Sequence, residues 1–240
     1  MVKNPILHLR KDENPDLLNL FGSDPKKAMA IATPVAIEKY IMGTAQVTIT
    51  KIVAPLGAIS IAANSFAITA ESFCYMPGFG ISFAGTTLVA QSIGANRKNL
   101  AVRLSWLVTV LGIIVLGLAG VLLYAFSPQL MAILSPDPDI QALGINVLRI
   151  EAFAEPLFGA ALVVAGIFRG TGDSLKPSVV NLISMWFVRI PLAMFLSPRI
   201  GLQGVWIAMC IELCVRGGLL LVMQALWSAQ IKKAAANPII

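Results

Sequence analysis

Three charged residues, Arg149, Glu151 and Glu155, stand near the start of an otherwise apolar stretch, LRIEAFAEPLFGAALVVAGIFRGTGDSLKP, which begins at Leu148. A charge in the middle of a membrane costs about 2.5–3.5 kcal/mol on insertion scales, so such residues normally face a cavity or a charged partner. Glu151 and Glu155 are four positions apart and share one face of a helix, whereas Arg149 points away from Glu151. Two carboxylates on one face repel each other, and a cation or a proton between them relieves the repulsion. The spacing therefore predicts a site for a cation or a proton.

Nine ionisable residues fall within the apolar parts of the chain, and five acidic side chains against four basic ones nearly neutralise one another. They are Glu38, Lys39, Glu71, Arg149, Glu151, Glu155, Arg189, Glu212 and Arg216. This balance indicates an organised polar interior, because a bundle that faces only lipid carries almost no such residues. Glu212 and Arg216 are four positions apart with the acid first, which predicts a structural ion pair within one helix. Pairing of Glu151 and Glu155 with Arg189 or Arg216 from neighbouring helices is the structural alternative to a cation site.

A polar stripe at helical spacing occurs in the first apolar segment. It consists of Lys39, Gly43, Gln46 and Thr50, with Glu38 beside it. Glu38 lies about ten residues from the predicted start of its helix, hence about 15 Å deep. In one interpretation the stripe lines a cavity, and in the other it packs against a neighbouring helix.

Arg149 and Arg189 are further candidates for a cavity wall. Arg189 is followed by Ile190 and Pro191, so its alternative role is to bond the carbonyls that a kink sets free. Glu71 has no cationic residue three or four positions away on its own helix, and its role stays open.

The composition places these residues in a membrane protein. Of the 240 residues 57% are hydrophobic and 12% are charged, whereas about a quarter of an ordinary soluble domain is charged. A spanning helix needs about 20 residues, and the sequence predicts six, at 28–53, 58–93, 104–126, 140–168, 177–196 and 202–230. We expect a kink near Pro77 and Gly78 and a short interfacial helix at 127–134. The fold class is an all-α membrane protein, a six-transmembrane-helix bundle with no room for a soluble catalytic domain, so we do not expect an enzyme.

Basic residues are distributed unequally between the two ends of this predicted bundle. Twelve fall on one side and only Lys51 and Arg199 on the other; the twelve are Lys3, Arg10, Lys11, Lys26, Lys27, Arg97, Lys98, Arg103, Arg169, Lys176, Lys232 and Lys233. Because cytoplasmic connections carry an excess of Lys and Arg, both termini are predicted to be cytoplasmic. The chain then divides into a cytoplasmic leader at 1–27, a six-helix transmembrane lobe at 28–231 and a cytoplasmic tail at 232–240. The net charge of +6 reflects this topology, and no nucleic-acid partner is expected.

The remaining motifs argue against other chemistry. The three cysteines lie within apolar runs, where free cysteine behaves as a small hydrophobic residue, so neither a disulfide nor a metal centre is expected. His8 is expected to be solvated in the polar leader, which has no apolar core of a secretory signal. The segment RGTGDSLKP at 169–177 lacks the glycine spacing of a phosphate-binding loop, and a tight turn is expected instead.

Two longer motifs resemble one family of membrane proteins. They are LGAISIAANSFAITAESFCYMPGFGISFAGTTLVAQSIGANRKNLA at 56–101, and FRGTGDSLKPSVVNLISMWFVRIPLA together with GLQGVWIA. The first is similar to the second helix of a lobe in the multidrug and toxic compound extrusion (MATE) family. The second resembles that family's Arg-Gly-x-Gly-Asp turn, Trp-x-x-Arg-x-Pro-Leu helix and Gly-x-x-Gly-Val-Trp helix start. The order and spacing match across about 28–230 and correspond to one lobe, the C-terminal six of twelve helices.

The resemblance implies an antiporter of the plasma (inner) membrane that exports amphipathic, often cationic, compounds in exchange for Na⁺ or H⁺. In this family an acidic residue of the lobe's first helix and carboxylates of its fourth helix bind cations, which implies roles for Glu38, Glu151 and Glu155, including Na⁺ binding. No other metal and no cofactor are implied. The implied partners are the lipid bilayer, a small amphipathic substrate, and either an N-terminal lobe or a second copy of the chain.

Two alternatives to a transporter stay open. In the first alternative, the chain is a truncated, non-transporting membrane fragment or assembly subunit. In the second it is a lipid-linked flippase of the wider superfamily, for which more basic residues are expected in the cavity.

Overall fold

The computed structural model describes residues 25–236, and these residues form helices without any strand. The helices are α1 (Pro25–Val53), α2 (Ala58–Gly94), α3 (Lys98–Leu134), α4 (Pro138–Glu151), α5 (Glu155–Gly170), α6 (Leu175–Ile183), α7 (Ile190–Ile200) and α8 (Leu202–Ala236). A single 3₁₀ turn, Ala54–Leu56, follows α1, and a π-helical segment, Ser184–Arg189, joins α6 to α7. Residues 1–24 of the predicted leader and 237–240 of the predicted tail lie outside the described residues, so the division of the chain at 27 and 231 stays a prediction.

The predicted spans each have a helical counterpart in the described part of the chain. Four helical stretches are long and apolar enough to cross a membrane: α2, α3, α6 to α7 taken together, and α8; the bent pair α4 and α5 adds a fifth. The first helix is not among them, because Glu38 and Lys39 lower its mean hydropathy. Large apolar side chains on α3, such as Leu107, Ile114 and Leu118, stay exposed as lipid-facing residues do. The chain is therefore a multi-pass, all-α membrane protein.

The third span is longer than the sequence predicts. Instead of a helix at 104–126 and a separate interfacial helix at 127–134, α3 is one helix from Lys98 to Leu134 that passes through Pro128. Its last turns are held by packing, since the buried Met131 fits against Gly144 of α4. The second span likewise runs through Pro77 without a break.

The fourth predicted span, 140–168, is wrong as one continuous helix. It is divided into α4 and α5, which meet at an angle of 59°. Pro156 lies in the first turn of α5, where it has no N–H to donate and its ring would clash with the carbonyl four residues earlier in an unbroken helix. The break packs on Gly120 of α3, where a Cβ atom would lie 2.7 Å from the carbonyl oxygen of Ala152.

Close packing of small residues joins α2, α3 and α5. Ser82 Oγ donates to the carbonyl of Leu162 at 2.7 Å, and Thr86 Oγ1 donates to that of Gly166 at 2.8 Å. Such contacts require backbones to approach closely, which small residues allow in membrane helices. Helices α2, α3 and α5 are therefore packed tightly against one another.

Candidate functional site

A cavity of about 370 Å³ opens between the helices. Residues from α1, α2, α5, α6, the π-helical segment and α8 line it: Glu38, Lys39, Met42, Gln46, Ile68, Glu71, Tyr75, Phe79, Phe158, Ala161, Leu162, Ala165, Arg169, Asn181, Arg189, Met209, Leu213 and Arg216. Of the residues predicted from sequence, Glu38, Lys39, Gln46 and Arg189 are on this wall. Two members of the polar stripe of α1, Lys39 and Gln46, thus border the cavity, whereas Gly43 and Thr50 do not line it.

Glu38 is held in the wall by the first turns of α6. Its side chain is only 8% exposed. The hydroxyl of Ser178 donates a short hydrogen bond to Glu38 Oε2, and Asn181 Nδ2 donates to Oε1 at 2.8 Å. Both carboxylate oxygens therefore already have a partner.

Glu151 and Glu155 flank the break between α4 and α5, the first as the last residue of α4 and the second as the first residue of α5. Both are fully buried, and none of their four carboxylate oxygens has a hydrogen-bond partner within the described chain. Neither lines the cavity. Glu155 lies at the positive end of the α5 dipole, which favours a negative charge there. The two carboxylates thus form a buried pair behind the cavity wall, in need of positive charge.

Glu71 connects the cavity to this pair. It lines the cavity from α2, and its charge acts on both Glu151 and Glu155. The charges of Arg189 and Arg216 act on Glu71 in turn. The sequence alone does not assign Glu71 a role; the one signal is that no cationic residue lies three or four positions away on its own helix, so that any charged partner must come from another helix.

Arg189 ends the π-helical segment and faces the cavity. Its guanidinium donates to thioethers, from Nη2 to Met209 Sδ at 2.7 Å and from Nη1 to Met185 Sδ at 4.0 Å, while Nε has no partner among the described residues. The predicted alternative, bonding of free carbonyls, is therefore not what the described residues show. Thioether sulfur is a weak acceptor, so this cation stays available to the carboxylates whose charges act on it, those of Glu212, Glu151 and Glu71.

The predicted ion pair on α8 is confirmed. Arg216 Nε lies 3.3 Å from Glu212 Oε1, and the guanidinium stands over the Phe158 ring, 5.6 Å from its centroid. Ser184 Oγ also donates to Glu212 Oε1. Glu212 is thereby neutralised within the wall.

Arg149 was a candidate for the cavity wall, and it does not line this cavity. Its guanidinium lies 5.2 Å from the centroid of the Tyr124 ring. It lines a separate hollow with Tyr124, Ile150, Phe153 and residues of α8. The physical reason is helix geometry, because a residue two positions from Glu151 points to nearly the opposite side.

These features describe a multi-pass membrane protein with a charged cavity between its helices. A family model described as MatE matches residues 34–195, more than half of the chain, and the chain belongs to this family.

Several known proteins are similar to parts of this chain. The chain is 29% identical over 202 residues to a probable multidrug resistance protein NorM of Thermotoga maritima, covering 82% of the chain and 43% of that protein. It is 26% identical over 185 residues to a probable multidrug resistance protein YoeA of Bacillus subtilis, covering 75% and 39%. A crystal structure of MATE in the bent conformation superposes with a TM-score of 0.82 at 16% identity and covers 94% of the chain and 49% of that structure. The chain therefore spans about half the length of the relatives it matches.

Proposed function

We propose that the chain is one lobe of a secondary active antiporter of the inner membrane, with both termini cytoplasmic, that exports amphipathic or cationic compounds in exchange for Na⁺ or H⁺. Membership of the MatE family and the multidrug resistance relatives support this function. The observation that carries it is the buried pair Glu151 and Glu155, whose four oxygens have no hydrogen-bond partner among the described residues.

A carboxylate without a partner in a low-dielectric interior is costly, and a bound cation or proton offsets that cost. Four carboxylates, Glu71, Glu151, Glu155 and Glu212, act on one another or on the two guanidinium groups of Arg189 and Arg216. Four negative against two positive charges leave two in excess. The cluster thus has capacity for two monovalent positive charges, which are the coupling ions in this proposal.

Ions reach the pair by way of Glu71. This carboxylate lines the cavity and also acts on both buried carboxylates, so a cation in the cavity meets it first. Glu38 is a second candidate on α1, but its two oxygens must exchange the bonds from Ser178 and Asn181 for an ion. We therefore assign the principal coupling role to Glu151 and Glu155.

The cavity needs a second wall. Lys39 and the neighbouring Tyr40 are exposed on α1, and a charged side chain at membrane depth must meet protein or water. In this proposal a separate N-terminal lobe or a second copy of the chain supplies that wall. Two identical lobes would bring like carboxylates together, which only cations or protons relieve.

The coupling role is tested first by ion binding, which needs no partner lobe. NaCl should raise the thermal-unfolding midpoint of the purified chain above that in choline chloride, because a ligand that binds only the folded state stabilises it by about 2.7 kcal/mol at 100 times its Kd. Glu151→Gln and Glu155→Gln should abolish the difference. Asp139→Asn, at an exposed carboxylate in the first turn of α4, is the matched control and should keep it.

Transport is then measured in inside-out vesicles with the partner that completes the cavity. Imposed Na⁺ or H⁺ gradients should drive dye export, and the two Gln variants should lose most of this drive at unchanged protein amount. An equal salt response in the wild type and in both variants, or gradient-independent export, contradicts the proposal. Absence of any transport with either partner favours the non-transporting fragment instead.

A further inference from the structure

The charged groups on the cavity wall are mainly basic. Four bases line it, Lys39, Arg169, Arg189 and Arg216, against the two acids Glu38 and Glu71. The other buried carboxylates, Glu151, Glu155 and Glu212, do not reach the surface of the cavity. These three carboxylates offset the positive charge of the bases, but none of their atoms is available to a ligand inside the cavity.

The bases differ in whether they already have a carboxylate partner. Arg216 is paired with Glu212 at 3.3 Å. Within the described chain, Lys39, Arg169 and Arg189 have no carboxylate oxygen within 4.0 Å. On the acidic side, Glu38 already accepts hydrogen bonds from Ser178 and Asn181. Among the described residues, the groups on the wall left free to meet a ligand are therefore three cations and the carboxylate of Glu71.

Two of these cations are near the end of the cavity that the connection between α5 and α6 closes. Arg169 is in the last turn of α5. Lys39 follows Glu38, which is bonded to Ser178 and Asn181 in the first two turns of α6. Arg189 lies farther along the chain, at the end of the π-helical segment, where the charges of Glu212, Glu151 and Glu71 act on it. Lys39 and Arg169 thus belong to the part of the wall nearest the connection between α5 and α6, where Glu38 is the acid beside Lys39.

Three aromatic side chains, Tyr75, Phe79 and Phe158, also belong to the cavity wall. The rings of Tyr75 and Phe79 stand edge to face with centroids 5.7 Å apart, and those of Tyr75 and Phe158 do so at 5.9 Å. All three rings line the cavity. Aromatic side chains supply a large apolar contact area for a ligand, and a cavity of about 370 Å³ is within the usual range for small-molecule sites.

We propose that this cavity binds an amphipathic anion, with its acidic group at Lys39 and Arg169 and its apolar body against Tyr75, Phe79 and Phe158. The inference rests on the proposed transport function and narrows its substrate class. Guanidinium and ammonium groups make charge-assisted hydrogen bonds to carboxylate, sulfonate and phosphate oxygens. An organic cation would instead meet Lys39 and Arg169 here, and the nearby acid, Glu38, already accepts hydrogen bonds from Ser178 and Asn181. The acidic group belongs either to a soluble amphiphile or to the phosphate of a lipid.

Binding of two probes that share a ring and differ in charge tests the proposal. Isothermal titration of the purified chain in a neutral detergent should show 2-naphthalenesulfonate binding at least about tenfold more tightly than 2-naphthyltrimethylammonium. Lys39→Gln and Arg169→Gln should each weaken sulfonate binding about tenfold, the usual effect of losing one charged hydrogen-bond donor. Lys51→Gln and Arg103→Gln, exposed bases that do not line the cavity, are matched controls and should leave it unchanged.

The source of the acidic group is distinguished by competition. Displacement of the sulfonate by phosphatidic acid, and not by phosphatidylcholine, indicates a lipid phosphate. No displacement by either lipid indicates a soluble anion, and both results support the inference. Tighter binding of the ammonium probe, or equal weakening by the cavity and control variants, overturns it.

One further variant separates this inference from the antiport proposal. Glu151→Gln should keep sulfonate binding, because Glu151 does not line the cavity, while losing the sodium-dependent stabilisation. Loss of the sodium response with intact sulfonate selectivity supports both proposals. A wild-type chain without a sodium response that still selects the sulfonate refutes only the coupling mechanism. A chain with a sodium response that does not select the sulfonate refutes only the anion site.

Each variant is first checked for native helix content and a monodisperse elution profile. The Lys39 and Arg169 variants test the site independently if one of them does not fold.

Discussion

Asn181 Nδ2 donates a hydrogen bond to Glu38 Oε1 at 2.8 Å and so joins α6 to α1 across the cavity wall. The bond fixes a carboxylate that would otherwise face an apolar interior, and it does so with a neutral partner. Within the described chain, Glu38 is therefore held by neutral partners on α6 and not by an ion pair to a neighbouring helix.

Asn181→Leu should destabilise the chain by about 1–3 kcal/mol, because it leaves a partly desolvated carboxylate oxygen without its donor. The thermal-unfolding midpoint in detergent, read by circular dichroism, measures this change. Asn146→Leu, at an exposed asparagine on α4, is the matched control and should shift the midpoint little. Equal shifts in the two variants would show that the amide of Asn181 has no special role.

Gly166→Ala should destabilise the bundle by several kcal/mol or prevent its folding. The added Cβ would lie 2.7 Å from the carbonyl oxygen of Ser82, a backbone atom that cannot turn aside, and overpacking of a dense interior is costly. Gly80→Ala on α2 is the control, since nothing lies within 4 Å of its Cβ position. That variant should be neutral or stabilising by up to about 1 kcal/mol, because alanine is the better helix former. A well-folded Gly166→Ala chain with an unchanged midpoint would argue against the close crossing of α2 and α5.

The membrane orientation is tested by single-cysteine labelling in intact cells, after replacement of Cys74, Cys210 and Cys214. The turns at 97 and 169 should be protected from an impermeant maleimide, and the turns near 136 and 199 should react, because the basic residues cluster at the first pair of turns. Labelling from outside at 97 but not at 137 would invert the assignment. Permeabilised cells, in which all four positions should react, provide the control for accessibility.

Local patterns in the sequence predicted the features that depend on one helix alone. The spacing of four positions from Glu212 to Arg216 was enough to predict their ion pair. The helical spacing of the polar residues in α1 likewise predicted that Lys39 and Gln46 share one face. The break before Pro156 was missed because the apolar run continues across it, and the hydrophobic pattern alone does not show where a membrane helix bends.

Contacts between two helices could not be predicted from these local sequence patterns. The place of Glu71 follows from how α2 packs against the break between α4 and α5, and that contact joins residues about 80 positions apart. The same distance in the chain separates Ser82 from Leu162. No periodicity within a single segment carries information on such pairs.

Because of the break between α4 and α5, α5 is a separate helix with an acidic residue at one end and a basic residue at the other. Glu155 begins this helix and Arg169 stands in its last turn, about 20 Å away at 1.5 Å per residue. A rotation of about five degrees at the break would move Arg169 by about 2 Å, by the same helix geometry. The same rotation would also change the distance between Glu155 and Glu151, because Glu151 belongs to α4. If an ion binds the two acids as proposed and draws them together, the end of α5 that carries Arg169 would move as well.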